Sequence, residues 1–338
     1  MNKSRDHFRY AALLLVGIAF IAWGVGCQPS QKQSGPPEKV TIALATITDA
    51  ALAIIAQKQG YFLEEGLEVA TRLHPFGKPC LQDVLDGKAD FATVAEAPVM
   101  FAIMKGEKVA IIATIQTTNQ SNAIIARRDR GIGTFGDLRG RKVAVTLGTT
   151  LDYFLDAILA ARGISRKEVK IINMPADKMT EALERGDVDA ASMFHPYTAL
   201  AQKKLGGNVI AFPDKDIYTS TENVAATQTF IGQNPGKVVK LLRALVRAEE
   251  FVRQHPAEAQ KTVAELSGLD VDIVRDAWAG QDFAVTLDQS LLLEMEDEAR
   301  WAIRYGLTGG LAKIPNLLDF IYAEGLASVK PKAVNILR

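Results

Sequence analysis

Apolar residues along this chain fall into two alternating rhythms. Short apolar runs at 40–45, 68–73, 91–94 and 108–116 read as strands, bounded by glycine and polar clusters. Between them, 50–59, 81–85 and 99–104 space their apolar residues three and four apart, as a helix face requires. Leu52, Ile55 and Ala56 share one such face with Gly60 as terminator, and Pro98 introduces the third helix where a missing N–H costs nothing. After an extended segment at 122–127 the rhythm returns, with strands at 142–147, 169–173 and 190–193 and helices at 151–161 and 177–184. Strand-like stretches at 209–212 and 224–229 follow. From Pro235 onward the spacing is helical throughout, at 235–254, 257–266, 271–279, 289–305 and 316–322.

The two rounds are related in sequence. Residues 39–49 align with those 103 positions later, matching Lys39 to Lys142 and Gly60 to Gly163, while 87–96 aligns with 186–195 at an offset of 99. One α/β unit therefore occurs twice. The pattern predicts an α/β protein of two lobes, 39–120 with 222–338 and 121–221, joined by crossings at 117–121 and 214–223. The C-terminal helices are expected to cover lobe one, since amphipathic helices need a face to bury. A glycine pattern at 131–136 formally fits a dinucleotide fingerprint, but Arg127-Arg128-Asp129-Arg130 separates it from the preceding strand and Gly140 arrives before a crossover helix could form. It reads as a turn.

In parallel α/β sheets ligands collect beyond the carboxyl ends of strands, where loops and helix N-termini converge. The corners at 46–49, 93–96, 148–152 and 192–195, with the first crossing, should line one cleft between the lobes. The candidate ligand-binding residues are therefore Thr46, Thr48, Asp49, Thr93, Glu96, Thr117, Gly148, Thr149, Thr150, Tyr153, Phe194 and His195. Thr46 with Asp49 and Thr149 with Asp152 also fit the Thr-x-x-Asp capping box, so capping competes with ligand binding at both corners. Glu96 and His195 are equivalent in the repeats. Phe194, Tyr153 and Phe76 offer apolar or cation–π walls, or simply core.

The 338-residue chain has 39 basic and 39 acidic side chains, a balance that lacks the footprint of a nucleic-acid binder. Residues 1–26 carry Lys3, Arg5 and Arg9 ahead of an apolar run, the layout of an export signal. That run ends in small residues and Cys27, which resembles the lipidated cysteine of bacterial lipoproteins, although Gly24 stands where a large aliphatic is usual. An ordinary exported protein with an incidental Cys27 is the alternative. Residues 27–38 are too polar to bury and read as a tether. Cys80 alone remains in the body, so no internal disulfide can form.

Residues 56–69 (AQKQGYFLEEGLEV), 87–92 (GKADFA), 135–145 (FGDLRGRKVAV) leading to Gly148-Thr149-Thr150, and 186–191 (GDVDAA) resemble, in order, the motifs of the periplasmic substrate-binding proteins of ABC importers for nitrate, sulfonates, taurine and bicarbonate, relatives of thiamine-pyrimidine-binding proteins. The resemblance spans nearly the whole mature chain. It implies the type II periplasmic-binding-protein fold, a lipid-anchored extracytoplasmic monomer that passes a small solute to an ABC permease, no cofactor and no catalysis. It further implies that the turn at Thr149-Thr150 holds an oxyanion. Phe194-His195-Pro196 stands where the family has Trp-Glu-Pro.

No Lys or Arg falls in the four corners, so a bare inorganic anion would meet carboxylates with His195 as the single candidate cation. That favours a sulfonate or taurine-like solute with an amine, or a polar heterocycle. The competing classes are a sensory receptor that reports to a membrane kinase, which would share the cleft, and a pyrimidine-synthase-like enzyme, which would need a cofactor lysine or a cysteine-rich iron motif, whereas the mature chain has one cysteine and no such cluster.

Overall fold

The computed structural model describes residues 35–337. The predicted leader, Cys27 and most of the tether lie outside these residues. The chain runs through β1 (Glu38–Ala45), α1 (Ala51–Lys58), α2 (Tyr61–Glu64), β2 (Leu67–His74), α3 (Gly77–Leu85), β3 (Phe91–Ala95), α4 (Glu96–Met104) and β4 (Val109–Thr118). It continues with β5 (Asn122–Arg127), β6 (Lys142–Val145), α5 (Thr150–Ala161), β7 (Lys170–Asn173), α6 (Ala176–Arg185), β8 (Ala190–Phe194), α7 (Tyr197–Leu205), β9 (Val209–Pro213) and β10 (Ser220–Thr227). The C-terminal part holds α8 (Gln228–Gln233), α9 (Pro235–Gln254), α10 (Pro256–Ser267), α11 (Val271–Trp278), β11 (Leu287–Asp288), α12 (Gln289–Arg304), α13 (Ala323–Val329) and β12 (Val334–Asn335).

Two five-stranded sheets of the same plan result, ordered β2-β1-β3-β10-β4 and β7-β6-β8-β5-β9. In each, the first three strands are parallel and the fourth is antiparallel to both neighbours. The antiparallel strand comes each time from the far side of a crossing: β10 enters the first sheet from the second lobe, and β5 enters the second from the first. Residues 119–121 and 214–219 make the two crossings. Each lobe has its own apolar core; α9, α10, α12 and α13 bury Leu241, Leu242, Val263, Met295 and Leu326 in the first.

The duplication is real, with a different register. Thr41 N–H donates to Asp90 Oδ2 (2.7 Å) and Lys142 N–H to Asp189 Oδ2 (2.9 Å), the same clamp in both lobes. Thr41, not Lys39, is thus the structural partner of Lys142. The sequence alignment was off by two residues, a slip that leaves every strand side chain on its own face and so escapes detection by an apolar pattern.

Three expectations are corrected. Residues 220–223 belong to β10 and not to the crossing, because Ser220, Thr221, Glu222 and Asn223 are polar yet buried. The predicted helix at 316–322 is only a 3-10 turn at Leu317–Phe320, and the helix follows as α13. Neither Thr-x-x-Asp box forms: Thr149 Oγ1 donates to Thr146 O (2.7 Å), Thr46 Oγ1 donates to His74 O (3.1 Å), and Asp152 accepts from Gly148 N–H (2.9 Å), a residue ahead of the cap. Residues 131–136 make a turn, with Gly131 at φ 75° and a short 3-10 helix beginning at Phe135.

Candidate functional site

Between the lobes lies a cavity of about 40 Å³. The first lobe supplies Asp49, Gly77, Lys78 and Pro98, the second Thr149, Thr150 and Phe194, and the crossings with their adjoining strands supply Ser121, Asn122, Ser220, Thr221 and Glu222. Lys78 and Pro98 also border an outer recess of about 450 Å³ with Phe101, Leu147 and Gly148. Lys78 thus stands at the lip between the two spaces. Its Nζ reaches across the lobes and donates to Leu147 O at 2.6 Å.

The donor side is the first turn of α5. Thr149 is its N-cap, in extended conformation and with no side-chain cap on the helix N–H groups. Such uncapped groups and the helix dipole attract negative charge. Asp152 lies in this turn, yet Arg166 bridges Asp152 and Asp156 at 2.8 Å each and offsets its charge. Gly148, at φ 68°, lets the chain turn into the helix where a β-carbon would meet Lys78 Nζ at 3.3 Å.

The acidic side is more heavily charged than the corners indicated. Glu222 is 3% exposed and Asp49 9%. Asp49 Oδ1 accepts from Gln281 Nε2 at 2.9 Å. Burial pushes the Asp49 carboxyl up to about 7, against the Gln281 bond, with repulsion from Glu96 adding to the rise. Burial and the neighbouring Asp49 and Glu96 hold Glu222 well above the usual carboxyl range. Glu222 Oε1 is buried without a hydrogen-bond partner.

Behind the cavity, Glu96 is fully buried and accepts from Thr221 N–H (2.7 Å), Thr221 Oγ1 (2.8 Å) and the Tyr218 hydroxyl. The same hydroxyl lies 3.1 Å from Glu298 Oε1. One hydroxyl carries one hydrogen, so the second contact needs a proton on a carboxyl. Burial, with Glu96 adjacent, holds Glu298 well above its ordinary range and puts that proton there. This assembly ties the second crossing to α4 and α12 of the first lobe. A second tie runs directly between lobes, from Trp301 Nε1 on α12 to Asp156 Oδ2 on α5 at 2.7 Å.

The structure brings Asp49, Thr149, Thr150 and Phe194 to the cavity wall and Gly148 to the outer recess. The other candidates sit elsewhere. Thr93 Oγ1 accepts from Ala45 N–H (2.9 Å) and ties β3 to β1, Thr46 closes a strand end, Thr48 is fully buried, and Thr117 N–H pairs with Asp282 O (2.9 Å). Tyr153 packs edge-on against Tyr218 and Trp301. His195 lies outside the cavity lining: its Nδ1 meets Thr198 Oγ1 at 3.1 Å, and burial holds its imidazole below the usual range. Glu96 acts as the anchor just described and does not line the wall.

The sequence reading missed Lys78, Asn122 and Glu222. Lys78 lies ahead of the helix expected at 81–85, in a stretch given no element, yet α3 begins at Gly77 and Pro79 falls in its first turn, where an absent N–H is harmless. It supplies the cation that the four corners lacked.

A family model described as NMT1/THI5 like matches residues 47–259. A protein of Bacillus subtilis (strain 168) that bears the name of an aliphatic sulfonates-binding protein is 26% identical over 269 residues, 78% of this chain and 80% of its own length. The periplasmic aliphatic sulphonate binding protein SsuA from Escherichia coli has a similar structure, with a TM-score of 0.71 at 18% identity over 85% of this chain and 98% of its own. The alkanesulfonate-binding protein SsuA from Xanthomonas axonopodis pv. citri, solved bound to MOPS, gives 0.73 at 16% identity over 86% and 100%. These structural likenesses extend the match to the two-lobed periplasmic-binding-protein fold.

Proposed function

Because the chain belongs to the NMT1/THI5-like family, we propose that it is the extracytoplasmic solute-binding component of an ABC importer, exported and lipid-anchored at Cys27. It takes a small polar organic solute of the sulfonate or taurine kind into the interlobe cavity and delivers it to a membrane permease. One observation carries the reading: a single cavity is lined from both lobes, with the uncapped first turn of α5 on one side and Asp49, Lys78 and Pro98 on the other. A ligand that bridges both walls stabilises the closed arrangement by contacts it makes in no other, and two crossings permit the hinge. Among the described residues no helix is long and apolar enough to cross a membrane; the anchor proposed is the lipid on Cys27, at the end of the apolar run. The site binds and releases without chemistry.

The test is native mass spectrometry of the protein purified from its own host, followed by thermal shift with sulfonates, amino-sulfonates, nitrate and pyrimidines. A binder raises the midpoint by mass action, about 2.7 kcal/mol at a hundred times Kd. Silence across the panel together with a ligand-free mass spectrum would refute solute binding.

A further inference from the structure

We propose that the cavity selects a small zwitterion, with its protonated nitrogen against Glu222 and Asp49 and its anionic group at the first turn of α5 beside Lys78. This rests on the solute-binding reading and narrows it to a charge pattern. Most carboxyls elsewhere in the buried parts of the chain have bases or donors of their own, and Glu298, whose Oε2 is also unbonded, lies in the Tyr218 network outside the cavity lining. Arg166 serves Asp152 and Asp156, Arg72 and His74 serve Asp83, Lys330 serves Glu249, and Thr221 with Tyr218 serves Glu96. Glu222 has no such partner. Its Oε1 is unbonded, it is 3% exposed, and it forms part of the cavity wall.

A carboxyl so placed is costly unless something with a proton or a positive charge meets it. Asp49 lines the same wall, and a cation that meets the two carboxyls lets them ionise and is held by both. Lys78 does not fill that role: its amine is held at the lip by Leu147 O. A bound metal fits poorly, since among the described residues no group of three or more acids, histidines or cysteines is placed to hold one. An organic ammonium needs only hydrogen-bond acceptors, and the two carboxyls provide them.

The opposite wall asks for the opposite charge. Thr149 and Thr150 open α5 toward the cavity, with Asp152 compensated by Arg166. The cavity is small, about 40 Å³, and shares Lys78 and Pro98 with the outer recess, which suits a compact solute that carries its two charges close together. A bare anion such as nitrate would satisfy one wall and leave Glu222 as it is.

Isothermal titration with probes that differ by the amine alone tests this: taurine against ethanesulfonate, and β-alanine against propionate. At least one amine-bearing member should bind roughly ten- to a hundredfold more tightly than its partner, the worth of a charged hydrogen bond. Glu222→Gln should bring the members of that pair to within about threefold of each other while the unliganded variant melts no lower than wild type. Equal binding of an amine-free partner would overturn the cation subsite and leave solute binding standing. Absence of heat from all four probes would overturn the zwitterion, and a nitrate or pyrimidine hit in the thermal-shift panel would then keep the transport reading alive. The wild-type comparison decides the matter even if the variant fails to fold.

Discussion

Asp49 makes a pH experiment possible whose sign is opposite to the usual one for a carboxylate. Its ordinary value is 3.8, and in the folded protein burial raises it to about 7. Between these two values the unfolded chain has lost a proton that the native state still holds, so raising the pH favours unfolding. Below 3.8 both states are protonated and the group is neutral in effect; above about 7 its full cost is present. At ~1.4 kcal/mol per pH unit, the window of about three units amounts to roughly 4 kcal/mol. Asp49→Asn removes the titration while its amide oxygen still accepts from Gln281 Nε2. Urea unfolding of both proteins without ligand, at pH 4, 5.5, 7 and 8, is the assay. The variant should match wild type at pH 4 to within about 1 kcal/mol and exceed it increasingly up to pH 8, by as much as about 4 kcal/mol. Glu96 and Glu298 are also raised by burial and remain in both proteins, whereas Glu222, raised in part by Asp49, titrates lower in the variant and so adds to the difference in the same direction. Parallel pH profiles would show that Asp49 is ionised and compensated in the native protein, and the account of the acidic wall would fall.

Two further changes probe the frame around the cavity. In Gly77→Ala the new β-carbon would lie 2.7 Å from Val94 Cα and 3.1 Å from Thr93 O, both backbone atoms, so α3 must lift off β3; the expected cost is ~1–3 kcal/mol, read as a lower urea midpoint, and an unchanged midpoint would refute the close approach. In Trp301→Phe, Asp156 loses its 2.7 Å donor from the other lobe; stability should fall by ~1–3 kcal/mol in urea, and no loss would mean that the bond is not kept in solution.

Much of the architecture was legible because its strands are apolar and its turns are glycine-marked. Gly60 and Gly163 end equivalent helices with φ of 75° and 65°, as the repeat implied. The polar strand β10 was not legible. Alternation rules assume that a buried face is greasy, whereas Ser220, Thr221 and Glu222 are buried against a cavity and a carboxyl network. His195 was misplaced for a related reason. Equivalence to Glu96 in the repeat gave its position on a strand end, but its ring turned to Thr198, a residue on a helix that the apolar spacing did not reveal. Lys78 was hidden because the four corners were taken from the repeat, and it stands outside both copies of the motif.

The exchange of strands across the crossings sets the order in which the two sheets can be finished as the chain emerges from its N-terminus. All five strands of the second sheet lie between Asn122 and Pro213, so that half can close as one uninterrupted segment. The first sheet begins earlier yet waits for β10, without which β3 and β4 have no neighbour to join them, and its helical cover arrives only by Val329. A nascent chain stopped at residue 219 would thus carry a sealed second half and a first half with two bare strand margins, the kind of surface on which chaperones and stray strands act.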